Sequence, residues 1–368
     1  MNNTISQRIK FLNFLCMFLL VFIHGYNLQD DHLFTNSIVT EPLTPTSFIE
    51  YLLANGLFRF RIPLLMTISG YLLAYKDKTP YLEVIKKRFR TLIIPYILVS
   101  AISILFLLIA EQTFFKSGTE GLWGKRVIDF DAKDYFYRLF VSPIPFQLWY
   151  LRILFLFVIL YPTIKFCLER FPLSFLISLF ILRMSFNNFH GTHIFYFSLG
   201  IFLQLNKINV TNTPKLVSIK ALAILFVGLV IIKTIIAFKG YPVLGNATFY
   251  ILQMMYTIHG VISLIVVWFG LDKVAIYFMK KNWFHKIVGS SFFIYAFHEP
   301  LMVMLIDPYL KYISFLPGAR MIGFLTLPIF ILVICILFDA LIAKTVPALY
   351  NVLTGNRGTV KELAIPVK

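Results

Sequence analysis

His24 closes an almost unbroken apolar run from Phe11 to Ile23, a stretch that reads as the end of a first membrane span. A charged side chain at bilayer depth costs roughly 2.5–3.5 kcal/mol on insertion scales, so ionisable groups there face a bundle interior or a wet cavity and mark a reaction or transport path. The same position also suits a ring that reaches interfacial water from the outer end of the helix. Asn13 stands eleven residues earlier, close to three helical turns, so it projects from about the same face and can line one cleft with His24.

Further polar residues inside apolar segments are Asn55, Arg59, Arg61, Arg152, Arg183, Lys233, His259, His298, Glu299 and Asp339. On a continuous helix Arg59 and Arg61 point roughly 200° apart, so they share a cavity only if the helix is broken. Pro63, followed by Ser69-Gly70, offers such a break, because a proline in a membrane helix frees a carbonyl that a neighbour or water must satisfy. His298 and Glu299 point about 100° apart and are not a dyad with each other, yet either can meet the first helix. The densest charge run, Lys86-Lys87-Arg88-Phe89-Arg90, suits anionic lipid or a topology signal. It equally suits the diphosphate and ribose phosphate of coenzyme A, since arginine makes bidentate bonds to phosphate and lysine adds point charge. No Walker or dinucleotide fingerprint is present, which disfavours a nucleotide hydrolase.

The elements that must position these groups are membrane helices. Of 368 residues 59% are hydrophobic, 40 are Phe, and the mean hydropathy is +0.80, values that do not fit a water-facing surface. A hydrocarbon core of roughly 30 Å needs about 20 apolar residues per helix. On that length the chain reads as all-α and polytopic, with about ten spans centred on 9–28, 49–75, 91–110, 146–166, 172–187, 192–206, 217–237, 247–270, 288–306 and 321–344. The fifth and sixth are short and also fit one re-entrant pair.

With ten spans one side collects Arg8, Lys10, Lys76, Lys78, Lys86, Lys87, Arg88, Arg90, Arg170, Lys207, Lys215, Lys273, Lys280, Lys281, Lys286, Arg357, Lys361 and Lys368, whereas residues 29–48 opposite hold no Lys or Arg. The positive-inside rule then places both termini in the cytoplasm and makes the net charge of +17 mostly topology, with little call for nucleic acid. The expected organisation is one integral-membrane domain over 1–350 and a cytoplasmic tail over 351–368. No small-residue cleavage site follows His24-Gly25-Tyr26-Asn27, so the first span is retained. Cys16, Cys167 and Cys335 are scattered and odd in number, which argues against a disulfide framework or a metal cluster, and nothing implies a metal. The 111–145 segment, with Phe114, Phe115, Trp123, Phe130, Tyr135, Phe136, Tyr137 and Phe140, suits an amphipathic connector or a lid on the outer face.

In this order and spacing the motifs resemble the acyltransferase 3 family of integral-membrane acyltransferases, many of which O-acetylate cell-surface sugars. The resemblance runs through Arg8-Ile9-Lys10-Phe11-Leu12-Asn13 to His24, then Arg61 to Leu72, Lys86 to Tyr96, Leu148-Trp149-Tyr150-Leu151, Phe195 to Gly200 and Ser291 to His298. It implies an essential histidine at His24 and a basic donor-binding motif at Arg88 and Arg90, with Lys86 and Lys87 beside it. Where the family often has an arginine eleven residues before the histidine, this chain has Asn13, which can orient a ring or bind a carbonyl but brings no charge. The donor implied is cytosolic acetyl-CoA or another acyl-CoA, and the acceptor a glycan or lipid-linked saccharide.

The expected activity is therefore an O-acyltransferase, in the first instance an O-acetyltransferase, in a bacterial inner (cytoplasmic) membrane and in contact with its lipids. In that reading His24 is the base or the acyl carrier, Arg61 or Arg152 stabilises the oxyanion, and Asn13, His298 and Glu299 orient groups or bind substrate. The competing reading is a polysaccharide exporter, since intramembrane Arg, His and Glu also line transport paths, but no inverted repeat is evident. A scaffold whose polar residues only join helices has little need for so many buried arginines.

Overall fold

The computed structural model describes residues 3–26, 36–76, 79–113, 125–186, 190–213 and 218–355. Among them every regular element is helical. α1 (Asn3–His24) is long enough, at 1.5 Å per residue, to cross about 33 Å. The second span, Pro45–Tyr75, is a composite. α2 (Pro45–Tyr51) passes into a π-helical turn (Leu52–Gly56), a 3₁₀ turn (Leu57–Phe60) and α3 (Arg61–Tyr75). The cause lies in Pro63, which has no N–H for the carbonyl of Arg59, so an i→i−4 ladder cannot run through that point. The expected break therefore exists, displaced upstream of the proline.

α4 (Tyr81–Arg88) continues through a π turn (Phe89–Ile93) into α5 (Ile94–Thr113). The connector holds a 3₁₀ turn (Val127–Asp129), α6 (Ala132–Phe136) and a π turn (Tyr137–Val141). Glu111 anchors it by accepting from the Val127 amide at 3.0 Å. At its surface Lys125 donates to Asp134 at 2.8 Å, which holds the Asp134 carboxyl below its ordinary value. Phe114, Phe115 and Trp123 lie outside the described residues.

A 3₁₀ turn (Phe146–Leu148) then leads into α7 (Trp149–Ile159) and α8 (Tyr161–Arg170), followed by α9 (Pro172–Ser185), a 3₁₀ turn (His190–His193) and α10 (Ile194–Leu205). α11 (Ile219–Lys239), α12 (Tyr241–Leu244) and α13 (Ala247–Gly270) precede α14 (Asp272–Met279) and α15 (Asn282–Val288). α16 (Ser291–Tyr312), α17 (Ala319–Thr345) and α18 (Pro347–Leu353) complete the described chain. The tail boundary expected after residue 350 falls inside α18, and residues 356–368 lie outside the described chain.

Among the described residues six helices are long and apolar enough to span, or seven if the pair Ala132–Val141 and Phe146–Ile159, bent by 55°, counts as one, against the ten expected. The difference lies in the middle of the chain and in α16. The span expected at 146–166 is divided at Leu160 into α7 and α8, and the next two are only 14 and 12 residues as α9 and α10, short of the ~20 that a bilayer needs. Pro162 and Pro172 sit in the first turns of α8 and α9, where proline starts helices but does not continue them. α16 has a spanning length of 22 residues but carries Glu299, Asp307, Lys311 and two internal prolines.

The tightest helix pair is α3 on α10, where Gly70 meets the Phe197 carbonyl and Gly200 the Thr67 carbonyl so closely that a Cβ on either would overlap the backbone opposite. This is the small-residue packing that membrane helices use in place of a hydrophobic driving force. One end of the bundle gathers segments expected on one side. Arg8 pairs with Asp272 at 2.5 Å and donates to Val210 and Thr211 carbonyls, and Gly355 lies against Thr91. Glu41 and Glu50 meet on Arg320, all three from segments expected on the opposite side. Lys78, Lys215, Arg357, Lys361 and Lys368, used above for sidedness, lie outside the described residues.

Candidate active site

His24 ends α1, which packs along α16. Its half-buried ring faces His298 of α16, with centroids 5.0 Å apart and planes at 70°. His298 is 0% exposed and its Nδ1 bonds the Ile294 carbonyl at 2.7 Å. A carbonyl only accepts, so Nδ1 must donate, which assigns the tautomer and leaves Nε2 as an acceptor without a hydrogen-bond partner among the described residues. A fixed imidazole thus presents its lone pair beside a second imidazole.

Pro300 explains how that corner is built. Without an amide proton it strands the Ala296 carbonyl one turn back. Gln147 makes good the loss, its side-chain amide donating to the Tyr295 carbonyl at 3.0 Å and the Ala296 carbonyl at 3.5 Å, while Tyr295 Oη donates to the Gln147 carbonyl at 2.7 Å. The turn before α7 is thereby clamped to α16. Phe146 then lies against His24 at 5.0 Å between ring centroids, and its amide reaches the buried Glu299 carboxyl.

Arg59 and Arg61 both act electrostatically on His24, and Arg61 also on His298. Between them the helix changes from a 3₁₀ turn to α3. Arg61 is 3% exposed and is steadied by its Nε donating to the Phe58 carbonyl at 2.9 Å. Arg61 and His298 are thus brought to His24, whereas Glu299 meets the amide of Phe146, whose ring lies against His24.

Arg152 is not. Its exposed guanidinium donates to the Val141 carbonyl, so the proposed oxyanion role passes to Arg61 alone. Asn13 is half-buried on α1, but eleven residues at 1.5 Å leave about 16 Å between it and His24, too far to orient the ring. Helical spacing puts Asn13 and His24 on about the same face, but the axial separation keeps Asn13 from orienting the His24 ring.

Of the basic run, Lys86, Lys87 and Arg90 are exposed, whereas Arg88 is half-buried and acts on Tyr150. Tyr150 Oη lies 3.2 Å from Ser69 Oγ, and its ring lies 6.2 Å from that of Tyr295, one turn before His298 on α16. A line of side chains, Arg88, Tyr150, Tyr295 and His298, therefore runs from the basic rim to the histidine pair. Sequence reasoning missed Gln147, Phe146, Tyr150 and Tyr295 as participants; the one available signal was Pro300, which demands a donor for a stranded carbonyl.

The family profile described as an acyltransferase domain matches residues 7–340, nearly the whole chain. The chain is a member of the acyltransferase 3 family. It is also 24% identical, over 99% of its own length and 96% of the relative's, to the succinoglycan biosynthesis protein ExoH of Rhizobium meliloti (strain 1021). No solved structure matches it significantly. Family and helices together make this acyltransferase a multi-pass membrane protein.

Proposed function

We propose that this protein is an O-acyltransferase of a bacterial cytoplasmic membrane that passes an acyl group, acetyl in the first instance, from cytosolic acyl-CoA to a hydroxyl of a cell-surface or lipid-linked saccharide. Both termini and the basic rim face the cytoplasm in this reading. The observation that carries it is the embedded His24–His298 pair, with Arg61 beside it and the Tyr295–Tyr150 line running back to Arg88. The polysaccharide-biosynthesis relative supports a glycan acceptor.

Arg88 contributes charge for the donor's phosphates, with the exposed Lys86, Lys87 and Arg90 steering the anion from outside. A saccharide hydroxyl attacks the thioester carbonyl as His24 accepts its proton. The C–O bond forms, the tetrahedral oxyanion is stabilised by Arg61, and the C–S bond breaks with the proton returned to the leaving thiolate. The bare His298 Nε2 accepts a hydrogen bond from the His24 imidazolium, a pairing that typically belongs to a general base worth roughly 10²–10⁴ in rate. The test is transfer of label from radiolabelled acetyl-CoA to extractable saccharide in membranes holding the parent or His24→Ala. Loss of transfer at equal expression is expected; persistent acetylation in the variant refutes the assignment.

A further inference from the structure

Beside the basic rim, where the end of α3 meets the start of α4 and the break between α7 and α8, the surface opens into a cleft of about 240 Å³. Lys76 and Thr79 line it from the segment after α3, Tyr81 from α4, and Tyr161 and Lys165 from α8. Tyr81 ties α4 to the break itself, its Oη donating to the Ile159 carbonyl at 2.6 Å. Lys165 also pairs with Glu169, one turn on, at 3.8 Å. Two ammonium groups from separate elements thus share one pocket with three hydroxyl-bearing side chains, and among the described residues no carboxylate lines it. Apolar Val84 and Val158 complete much of its wall. Point charges and hydroxyls set in apolar walls suit a phosphate carried on a flat organic body, since a bare phosphate ion would leave most of the cleft unfilled.

The position of the cleft says which body that is. Tyr81, Val84 and Arg88 stand at i, i+3 and i+7 and so share one face of α4, which puts the cleft and the half-buried Arg88 on the same side, about 10 Å apart along the axis. On α7, Val158 stands eight residues, about 12 Å, from Tyr150, the residue on which Arg88 acts. The cleft therefore extends the line His298, Tyr295, Tyr150 and Arg88 by one further step away from the histidines.

We propose that this cleft binds the adenosine 3′-phosphate end of the acyl-CoA donor, with Lys76 and Lys165 on the ribose phosphate and Tyr161 beside the base, while Arg88 meets the diphosphate. This rests on the acyl-transfer reading above, which supplies the donor. The exposed Lys86, Lys87 and Arg90 then attract the anion without setting which nucleotide is held. Anionic lipid headgroups carry the same phosphate chemistry, and the experiment separates the two sources.

On the detergent-purified full chain, acetyl-CoA is compared with acetyl-dephospho-CoA, which lacks only the 3′-phosphate. The parent favours acetyl-CoA in kcat/KM by about tenfold or more, as expected for charge-assisted bonds to a phosphate. The ratio falls towards one in Lys76→Met and Lys165→Met and persists in Lys165→Arg. A ratio near one in the parent, or an equal loss with both donors in both methionine variants, overturns the proposal. Calorimetric binding of adenosine 3′,5′-bisphosphate gives a readout without turnover. Binding that depends on the two lysines while no acyl transfer occurs leaves the nucleotide cleft standing and removes the acyltransferase reading; transfer with no preference for the 3′-phosphate does the reverse. In nanodiscs, stabilisation of the parent by phosphatidylglycerol over phosphatidylcholine that the methionine variants lose, with no lysine-dependent binding of the bisphosphate, assigns the cleft to lipid and overturns the nucleotide assignment.

Discussion

His24 and His298 should fail as a unit. Asparagine at 298 retains an N–H that can donate to the Ile294 carbonyl, as Nδ1 does at 2.7 Å, and removes only the lone pair of Nε2. His298→Asn therefore tests the acceptor without unpinning α16. A positioned base is worth roughly 10²–10⁴, about 2.7–5.4 kcal/mol at 1.36 kcal/mol per tenfold. With ring centroids 5.0 Å apart, the imidazolium formed on His24 has His298 as its acceptor, and each ring is of little use to the chemistry without the other. His24→Ala and His298→Asn should then each lower kcat by about 10²–10⁴, with the double variant no worse than about threefold below the poorer single one, as groups that act together are non-additive. Acyl transfer to saccharide is measured in proteoliposomes at saturating donor and acceptor, with thermal unfolding to verify folding. Two independent contributions would multiply to about 10⁴–10⁸; a double variant that falls by the product of the singles refutes the pair.

The other consequences concern packing, an excluded arginine and the donor rim. Gly70→Ala sets a Cβ into the Phe197 carbonyl and should destabilise by at least about 1–3 kcal/mol, read as a lowered Tm in detergent, whereas Gly228→Ala, with open space around it, should be neutral or gain up to about 1 kcal/mol of helix propensity. Equal effects at the two glycines would contradict the α3–α10 contact. Arg152→Ala should keep kcat within about threefold, since it loses one hydrogen bond to Val141 at the surface; a drop of 10² or more would return it to the reaction centre. Arg90→Ala should raise the apparent KM for acyl-CoA more at low than at high salt, because exposed charges are screened over about 10 Å at 0.1 M, whereas the effect of Arg88→Ala, at a half-buried position, should depend less on salt; a salt-independent effect at Arg90 would assign it to folding or topology instead.

The membrane character, the helical class and the family were legible because they rest on composition and on motif order, which survive without any contact information. His24, Arg61, His298 and Glu299 were legible as polar residues in places where polarity is costly, and the break that lets Arg59 and Arg61 share a space followed from Pro63. The number of spans was not. α9 and α10 are apolar enough to read as spans, but at 14 and 12 residues they fall below the length that hydropathy assumes; burial inside the bundle gives the apolarity of α10 a second cause, whereas α9 leaves Leu173, Ile177 and Ile181 exposed. Arg152 misled for the opposite reason: its neighbours on α7 are apolar, yet its long stem carries the guanidinium out to Val141. Lys86, Lys87 and Arg90 share a run with Arg88, and only helix phase, disturbed by the π turn at Phe89–Ile93, decides which of the four turns inward.

Pro63 and Pro300 do related work. Pro63 denies the Arg59 carbonyl a helical donor, and the residues before it, Leu52–Phe60, form π and 3₁₀ turns instead of a continuous α-helix. Pro300 denies the Ala296 carbonyl a donor, and Gln147 answers from the turn before α7, bringing Phe146 against His24 and its amide to Glu299. In lipid such interruptions persist only where protein or water supplies the missing bonds, and Pro63 and Pro300 are accordingly both buried in the bundle. Irregular backbone is therefore what lets cations from α3 and an imidazole from α16 converge on one ring. A continuous helix in place of either would point one arginine towards lipid, or release the turn that carries Phe146. Pro300→Ala should restore the helical donor to the Ala296 carbonyl and so loosen the Gln147 clamp that holds Phe146 against His24.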